Sequence, residues 1–139
     1  MRHNDSHSRR WWLAMGLAGM STVALGAFAS HGLRGTLSAD MLRVFETGVR
    51  YQMWHVLAAV GVLAWRSVQP LRGQMLTLGL WAAGILMFSG SLYALATTAR
   101  TQLGIITPIG GLLLIAGWLS LAVTGWRQRG SEEKDINKL

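Results

Sequence analysis

Two consecutive decapeptides decide the fold: Glu46-Thr47-Gly48-Val49-Arg50-Tyr51-Gln52-Met53-Trp54-His55, followed by Val56-Leu57-Ala58-Ala59-Val60-Gly61-Val62-Leu63-Ala64-Trp65. The first holds an acid, a guanidinium, a phenol, an amide and an imidazole. The second is apolar throughout, apart from the ring N–H of its closing Trp65. No Pro or turn cluster separates them, so polar cluster and apolar run belong to one helix. Ser38 is its N-cap, and Asp40 sits in the first turn, where the helix dipole favours a carboxylate. The start and stop signals predict one helix from about residue 38 to 66. Its first half lies in or near a membrane interface and its second half crosses the membrane.

Working outward, Trp11 to Leu33 runs without a formal charge (His31 aside), and residues 74–99 and 107–126 do the same. At about 1.5 Å per residue, each is a candidate to cross a hydrocarbon core of about 30 Å. Arg9-Arg10 and Ala27-Phe28-Ala29 mimic a twin-arginine signal with a cleavage site. The apolar region between them exceeds the roughly 7–15 residues of a signal peptide, which favours a retained span. Gly35 and Thr36 break the first span, and Gln69-Pro70-Leu71-Arg72-Gly73 makes the second turn. Thr107-Pro108 reads as N-cap and first position of the last helix, where Pro loses no hydrogen bond. The expected fold class is an all-α membrane protein. It is a four-helix transmembrane bundle with spans of about 11–33, 47–66, 74–99 and 107–126, its second helix extended into the outer interface. Residues 1–10 and 127–139 form cytoplasmic tails, and Ser131–Leu139 is expected to be disordered.

Composition agrees with lipid. Of 139 residues, 51% are hydrophobic and only 14% charged, against about 25% charged in soluble domains; mean hydropathy is +0.33. The net charge of +7 lies in the tails and at segment ends, with no basic stripe along a helix, so nucleic acid is not an expected partner. The absence of cysteine removes disulfides, thiolate metal sites and Cys nucleophiles. Four spans put both tails on one side. That side collects Arg2, Arg9, Arg10, Arg66, Arg72, Arg127, Arg129, Lys134 and Lys138, nine of the 13 basic residues. The positive-inside rule makes it the cytoplasm.

Antiparallel threading gathers polar groups in the outer half of the bundle. The candidate cluster is His31, Glu46, Arg50, Tyr51, Gln52, His55, Ser89, Ser91, Tyr93 and Thr107. Buried polar groups in lipid seek one another, since the alternative is an unpaired donor or acceptor. Glu46 and Arg50, at i,i+4, are expected to form an ion pair at the helix start. His55 is nine residues past Glu46, about 180° around the helix, and shares a face with Gly48, Tyr51, Gln52 and Ala59. Ser89, Ser91 or Tyr93 are its expected cross-helix partners. A satisfied core histidine, a proton relay and an axial ligand shared with His31 are the readings open to it. Two histidines without further carboxylates are a weak metal signal, so no metal or cofactor is expected.

Small residues supply the packing candidates. Ala14, Ala18, Thr22, Gly26 and Ser30 fall at successive i+4 positions, a stripe that lets two backbones approach within one subunit or between two copies. Gly90 with Ala94, and Gly110-Gly111, are expected close-approach sites. Trp11, Trp12, Trp65, Trp118 and Trp126 suit aromatic belts, and Trp54 and Trp81 less clearly so.

Several stretches together resemble one family. They are Gly26-Ala27-Phe28-Ala29-Ser30-His31-Gly32-Leu33, Phe45 to His55, Phe88-Ser89-Gly90-Ser91-Leu92-Tyr93, Leu103-Gly104-Ile105-Ile106-Thr107-Pro108-Ile109-Gly110-Gly111 and Gly117-Trp118. In this order, over residues 11–126, they resemble the uncharacterised small inner-membrane family that includes the YgdD and YwdK proteins, a domain-of-unknown-function family. Ala29-Ser30 stands where Gly-Ala is common, and Trp54 where Tyr is common; both keep the size or aromatic class. The resemblance implies a four-span bacterial plasma-membrane protein and carries over no catalytic residue. The expected role is that of a non-enzymatic structural or partner-binding component. It sits in the bilayer, alone, with a second copy or with another membrane protein. A small-solute or proton transporter subunit and a redox carrier using His31 and His55 are the alternatives.

Overall fold

The computed structural model describes residues 3–136, with side chains for residues 8–128. Arg2 and residues 137–139 of the charged tail lie outside the described residues. Four long helices account for nearly all of it: α1 (His3–His31), α2 (Ala39–Val68), α3 (Arg72–Thr98) and α4 (Ile106–Ile136), with a 3₁₀ turn over Thr101–Ile105. The helix expected from residue 38 to 66 is α2. Ser38 caps it in extended conformation, its Oγ accepting from the Met41 amide at 3.3 Å. Gly35 turns the chain after α1 with φ of +87°, a conformation that L side chains resist.

Three expected boundaries move. α1 begins at His3, inside the segment expected to be a tail. Thr107 is not an N-cap: α4 already begins at Ile106, after the 3₁₀ turn, so Pro108 falls in its first turn, where it still displaces no hydrogen bond. The charged tail is helical as far as Ile136 rather than disordered from Ser131. A helix already nucleated over many residues extends at little cost per added residue.

Three helical stretches are long and apolar enough to cross a membrane: Ser8–His31, Arg72–Thr98 and Thr101–Gln128. The second helix is the exception by composition, because Tyr51, Gln52 and His55 interrupt its apolar run and Arg66 closes it. It is nonetheless central. Each helix packs mainly on its neighbours in sequence, so α2 is held between α1 and α3, and α4 lies on α3.

Register follows from the side chains. Antiparallel α1 and α2 meet where Gly19 faces Val56 and Gly26 faces Val49. Between α3 and α4 the contacts keep one register along the pair: Gly73 with Thr124, Thr77 with Ser120, Trp81 with Gly117, Gly84 with Leu114, Phe88 with Gly110 and Ser91 with Thr107. On α3 the facing residues are Gly73, Thr77, Trp81, Gly84, Phe88 and Ser91, and on α4 they are Thr107, Gly110, Leu114, Gly117, Ser120 and Thr124. Both series advance by steps of three or four residues, which keeps one face of each helix on its neighbour. The seam is built mainly of glycine and hydroxyl residues, with Trp81, Phe88 and Leu114 as its large side chains.

Glycine there is a space requirement. A Cβ on Gly110 would stand 2.8 Å from both the Met87 carbonyl carbon and Phe88 Cα, which are backbone atoms. The Gly110 candidate is therefore a true close approach, whereas a Cβ on Gly90 meets nothing within 4 Å. Gly90 does not form the small-residue contact expected with Ala94. The i+4 stripe of α1 is also only partly used. Thr22 is buried and Ala18 and Gly26 are half-buried, but Ala14 and Ser30 are exposed. Each step of four residues advances about 40° around the helix, so a row of five cannot keep facing one neighbour.

Candidate functional site

The polar residues form three separate locks and one aromatic pocket, rather than one cluster. The first lock ties three helices through Gln52. Its Nε2 donates to the Ala18 carbonyl at 3.0 Å and to Ser21 Oγ at 2.9 Å on α1. Its Oε1 accepts from the Tyr93 hydroxyl of α3 at 2.9 Å. In the second, the Ser89 hydroxyl donates to the Gly48 carbonyl at 2.8 Å, while the Tyr93 ring lies over Gly48. In the third, Ser91 and Thr107 share a hydrogen bond of 2.8 Å between α3 and α4. Among the described residues, no buried side-chain nitrogen or oxygen lacks a partner. Interhelical bonds of this kind average about 0.6 kcal/mol in a membrane, because the separated helices also find partners. Their effect is mainly on register.

His55 stands elsewhere. Its Nδ1 lies 2.7 Å from the Tyr51 carbonyl one turn back, and its Nε2 accepts from the Trp118 indole N–H of α4 at 3.0 Å. The two contacts fit a single neutral tautomer, with the proton on Nδ1. The expected partners Ser89, Ser91 and Tyr93 are not used. In the α2–α3 register, Gly48 faces Ser89 and His55 faces Trp81, about two turns deeper. The His55 ring meets Trp81 and Trp118 edge-on, with centroids 5.9 Å away in each case. Trp81 is fully buried rather than in a belt, and its indole N–H donates to the Leu114 carbonyl at 3.3 Å.

Two predicted members fall outside. Arg50 is exposed and forms no ion pair with Glu46; the pair among the described side chains is Arg43 with Asp40, about two turns closer to the helix start. An exposed i,i+4 pair is worth only about 0.3–0.5 kcal/mol, too little to hold two long side chains in place. His31 is exposed at the end of α1. Gln52 meets Ala18, so His31 lies 13 residues along α1 from that level and His55 three residues the other way along α2. Sixteen residues of rise put the two histidines about 24 Å apart along the bundle, too far to ligate one metal or haem.

Sequence reasoning missed Ser21, Trp118 as the partner of His55, and the α3 entrance. There Gln74, fully buried, accepts from the Leu71 amide at 2.8 Å and donates to the Gln69 carbonyl at 3.0 Å. Arg66 donates to the Leu71 carbonyl at 2.9 Å and so closes the same turn. Gln74 had a readable signal: it stands three residues after the N-cap Leu71, the position from which a glutamine reaches back.

Between α2 and α4, floored by Phe88 of α3, lies an open groove of about 660 Å³. Tyr51, Trp54 and His55 form one wall, and Ile115 and Trp118 the other. Pockets of roughly 300–1,000 Å³ with mostly apolar lining and a few convergent polar groups are the usual form of a ligand site. Here the lining is almost wholly aromatic and aliphatic, and the ring nitrogens of His55 and Trp118 are already bonded to each other.

Comparison with known proteins finds a family of membrane proteins. Residues 25–111 match the family model described as "Protein of unknown function (DUF423)". A UPF0382 membrane protein of Haemophilus influenzae is 45% identical over 113 residues, covering 81% of this chain and 90% of the relative. The UPF0382 membrane protein YwdK of Bacillus subtilis is 43% identical over 102 residues, 73% of this chain and 83% of the relative. A UPF0382 membrane protein of Schizosaccharomyces pombe is 35% identical over 119 residues, 81% of this chain and 98% of the relative. No solved structure matches. The matched segment runs from the end of α1 to the Gly110-Gly111 approach and contains all three polar locks except the α1 end of the first. By family model and by relatives alike, the chain is a membrane protein of the DUF423 family.

Proposed function

We propose that this protein is a four-span component of the bacterial inner (plasma) membrane, both tails cytoplasmic, that acts by binding an apolar partner within the bilayer and not by catalysis. The observation that carries the binding reading is the α2–α4 groove. Its walls are rings, its opening is flanked by the exposed Trp54, Leu57, Ile115 and Trp118, and it opens sideways between two helices. A partner with a flat apolar surface would lie against those rings and bury them from lipid.

Support for four spans comes from packing. α2 runs antiparallel between α1 and α3, and a helix paired along two crossing neighbours shares their depth. Its Tyr51, Gln52 and His55 are turned into neighbours or the groove, which offsets the cost of carrying them across. The chain has no cysteine, so single-cysteine reporters read cleanly. In intact spheroplasts, a membrane-impermeant maleimide is expected to label Thr36→Cys and Gln102→Cys, and to reach Ser8→Cys and Gln69→Cys only after permeabilisation. Labelling of residues 36 and 69 from the same side would end the four-span reading.

The groove is tested by a photoreactive benzophenone side chain at Leu57 in native membranes, with Leu86 as the control on the lipid-facing side of α3, 75% exposed. The expected result is an adduct of discrete mass at residue 57 that is absent at residue 86; a mass of twice the chain would identify the partner as a second copy. Bulk-lipid adducts at equal yield at both positions would overturn the binding role.

A further inference from the structure

The α3–α4 pair carries a second concavity, on the side of its seam away from the aromatic groove, with a different chemistry. Where α3 begins and α4 nears its end, a cup of about 250 Å³ is lined by Leu71, Arg72, Gly73, Thr124, Arg127 and Gln128. Continuing from it, a groove of about 290 Å³ runs along the outside of the pair between Leu76 and Leu80 of α3 and Ala116 and Leu119 of α4. Gly73, Val123, Thr124 and Arg127 line both, so cup and groove form one continuous depression with a cationic end and an apolar end. We infer that this depression binds one anionic phospholipid, its headgroup phosphate between Arg72 and Arg127 and one acyl chain in the Leu76–Leu119 groove.

Charge complementarity carries the first half. Both arginines are exposed at the cup, and neither has a carboxylate partner among the described side chains of residues 8–128, where the ion pair is Arg43–Asp40, far away on the opposite end of α2. Arg66, committed to the Leu71 carbonyl and Gln74, adds a third positive charge beneath the same turn. Arginine forks suit phosphate oxygens in a way that bulk counterions do not replace. The cup wall is rigid. Thr124 packs so tightly on Gly73 that a Cβ there would stand 3.0 Å from the threonine Cβ, and the Thr124 hydroxyl is held by the Ser120 carbonyl at 2.8 Å.

Length carries the second half. Arg72 to Leu80 is eight residues and Arg127 to Ala116 eleven, a rise of about 12–16 Å. One leaflet of a hydrocarbon core is about 15 Å deep, half of about 30 Å. A free phosphate would use the cup and leave the groove unexplained, and a neutral acyl chain would use the groove and leave the arginines unexplained. Leu76 and Leu119 are exposed, so the chain enters sideways from the bilayer. The inference is independent of the aromatic groove and of which way the protein is threaded.

Native mass spectrometry of the delipidated full-length chain, titrated with phosphatidylglycerol or phosphatidylethanolamine of identical acyl chains, tests it. With about 1 kcal/mol per basic side chain near the headgroup plane, two arginines correspond to roughly 30-fold. The expected result is a preference of that order for phosphatidylglycerol, lost in the Arg72→Gln/Arg127→Gln double variant and retained in Arg43→Gln. Ala116→Trp, which fills the groove and leaves the cup, is expected to weaken phosphatidylglycerol binding as well. The inference fails if the two lipids bind equally, or if the double variant keeps the preference. It fails also if inorganic phosphate displaces the lipid while Ala116→Trp has no effect, since that describes a phosphate cup alone. The sodium dodecyl sulfate unfolding midpoint of each variant, followed by far-ultraviolet circular dichroism, reports whether the fold is retained. Should Ala116→Trp fail to fold, Leu76→Trp fills the same groove from α3.

Discussion

Gly110→Ala is expected to destabilise the folded protein by about 3 kcal/mol, the upper end of the range for overpacking a filled interior. The added methyl would meet the Met87 carbonyl carbon and Phe88 Cα, both at 2.8 Å. Side chains escape such contacts by changing rotamer; a backbone cannot. The whole α3–α4 seam would have to part, and the register that matches Ser91 to Thr107 and Trp81 to Gly117 would part with it. Gly90→Ala is the matched control: nothing lies within 4 Å of its added atom, and alanine is the better helix former by roughly 0.8–1 kcal/mol in water. Reversible unfolding in mixed micelles with increasing sodium dodecyl sulfate, read by tryptophan fluorescence, measures both. Equal midpoints for the two variants would mean that the α3–α4 approach is looser than the seam requires.

The second large effect is expected at Trp81. It is 0% exposed, its ring is tilted against Trp118 with centroids 4.7 Å apart, and it closes over Gly117. Trp81→Ala should cost about 3–5 kcal/mol, since buried aromatic truncation removes contacts and leaves a void that a close-packed interior fills only in part. The lost hydrogen bond to the Leu114 carbonyl adds little. Gly117→Ala attacks the same contact from the other side, its Cβ arriving 2.5 Å from the indole nitrogen. The two substitutions are therefore expected to be non-additive, with the double variant more stable than the sum of the single losses predicts. The same denaturation series checks this. Strict additivity would show that Trp81 and Gly117 do not share a packing site.

How much of this could be read in the chain differs residue by residue. Ser38 was legible as a cap because the signal is local: a side-chain oxygen three residues before an amide. Gln52 and Tyr93 were legible as members of a polar layer because threading alone puts them at one depth. The partner of His55 was not. Depth read from topology is good to a turn or two, and two turns of register separate the layer of Ser89 and Tyr93 from the layer of Trp81 and Trp118. The Glu46–Arg50 pair and the ends of the α1 stripe failed because spacing within a helix says which residues share a face, not which face meets a neighbour.

The seam between α3 and α4 marks the boundary most clearly. In water, the buried face of a helix is its apolar face and can be seen as a period of 3.6. In lipid, every face is apolar, so hydropathy locates the helix and says nothing about its rotation. The steps of three and four along Thr107, Gly110, Leu114, Gly117, Ser120 and Thr124 mix glycine, hydroxyl and leucine, and no hydropathy scale joins them.

The sequence by itself determined that this protein is helical, where its three inter-helix turns fall to within about two residues, and that it belongs in a bilayer. Those are local consequences of a backbone that must satisfy its own hydrogen bonds where water is absent. Only the tertiary structure decided that Gln52 ties three helices, that His55 answers to Trp118, and that one groove is aromatic while its opposite ends in two arginines. Each depends on the rotation and register of one helix against another, and those are settled by sub-ångström fits between glycine, ring and backbone that no single segment contains.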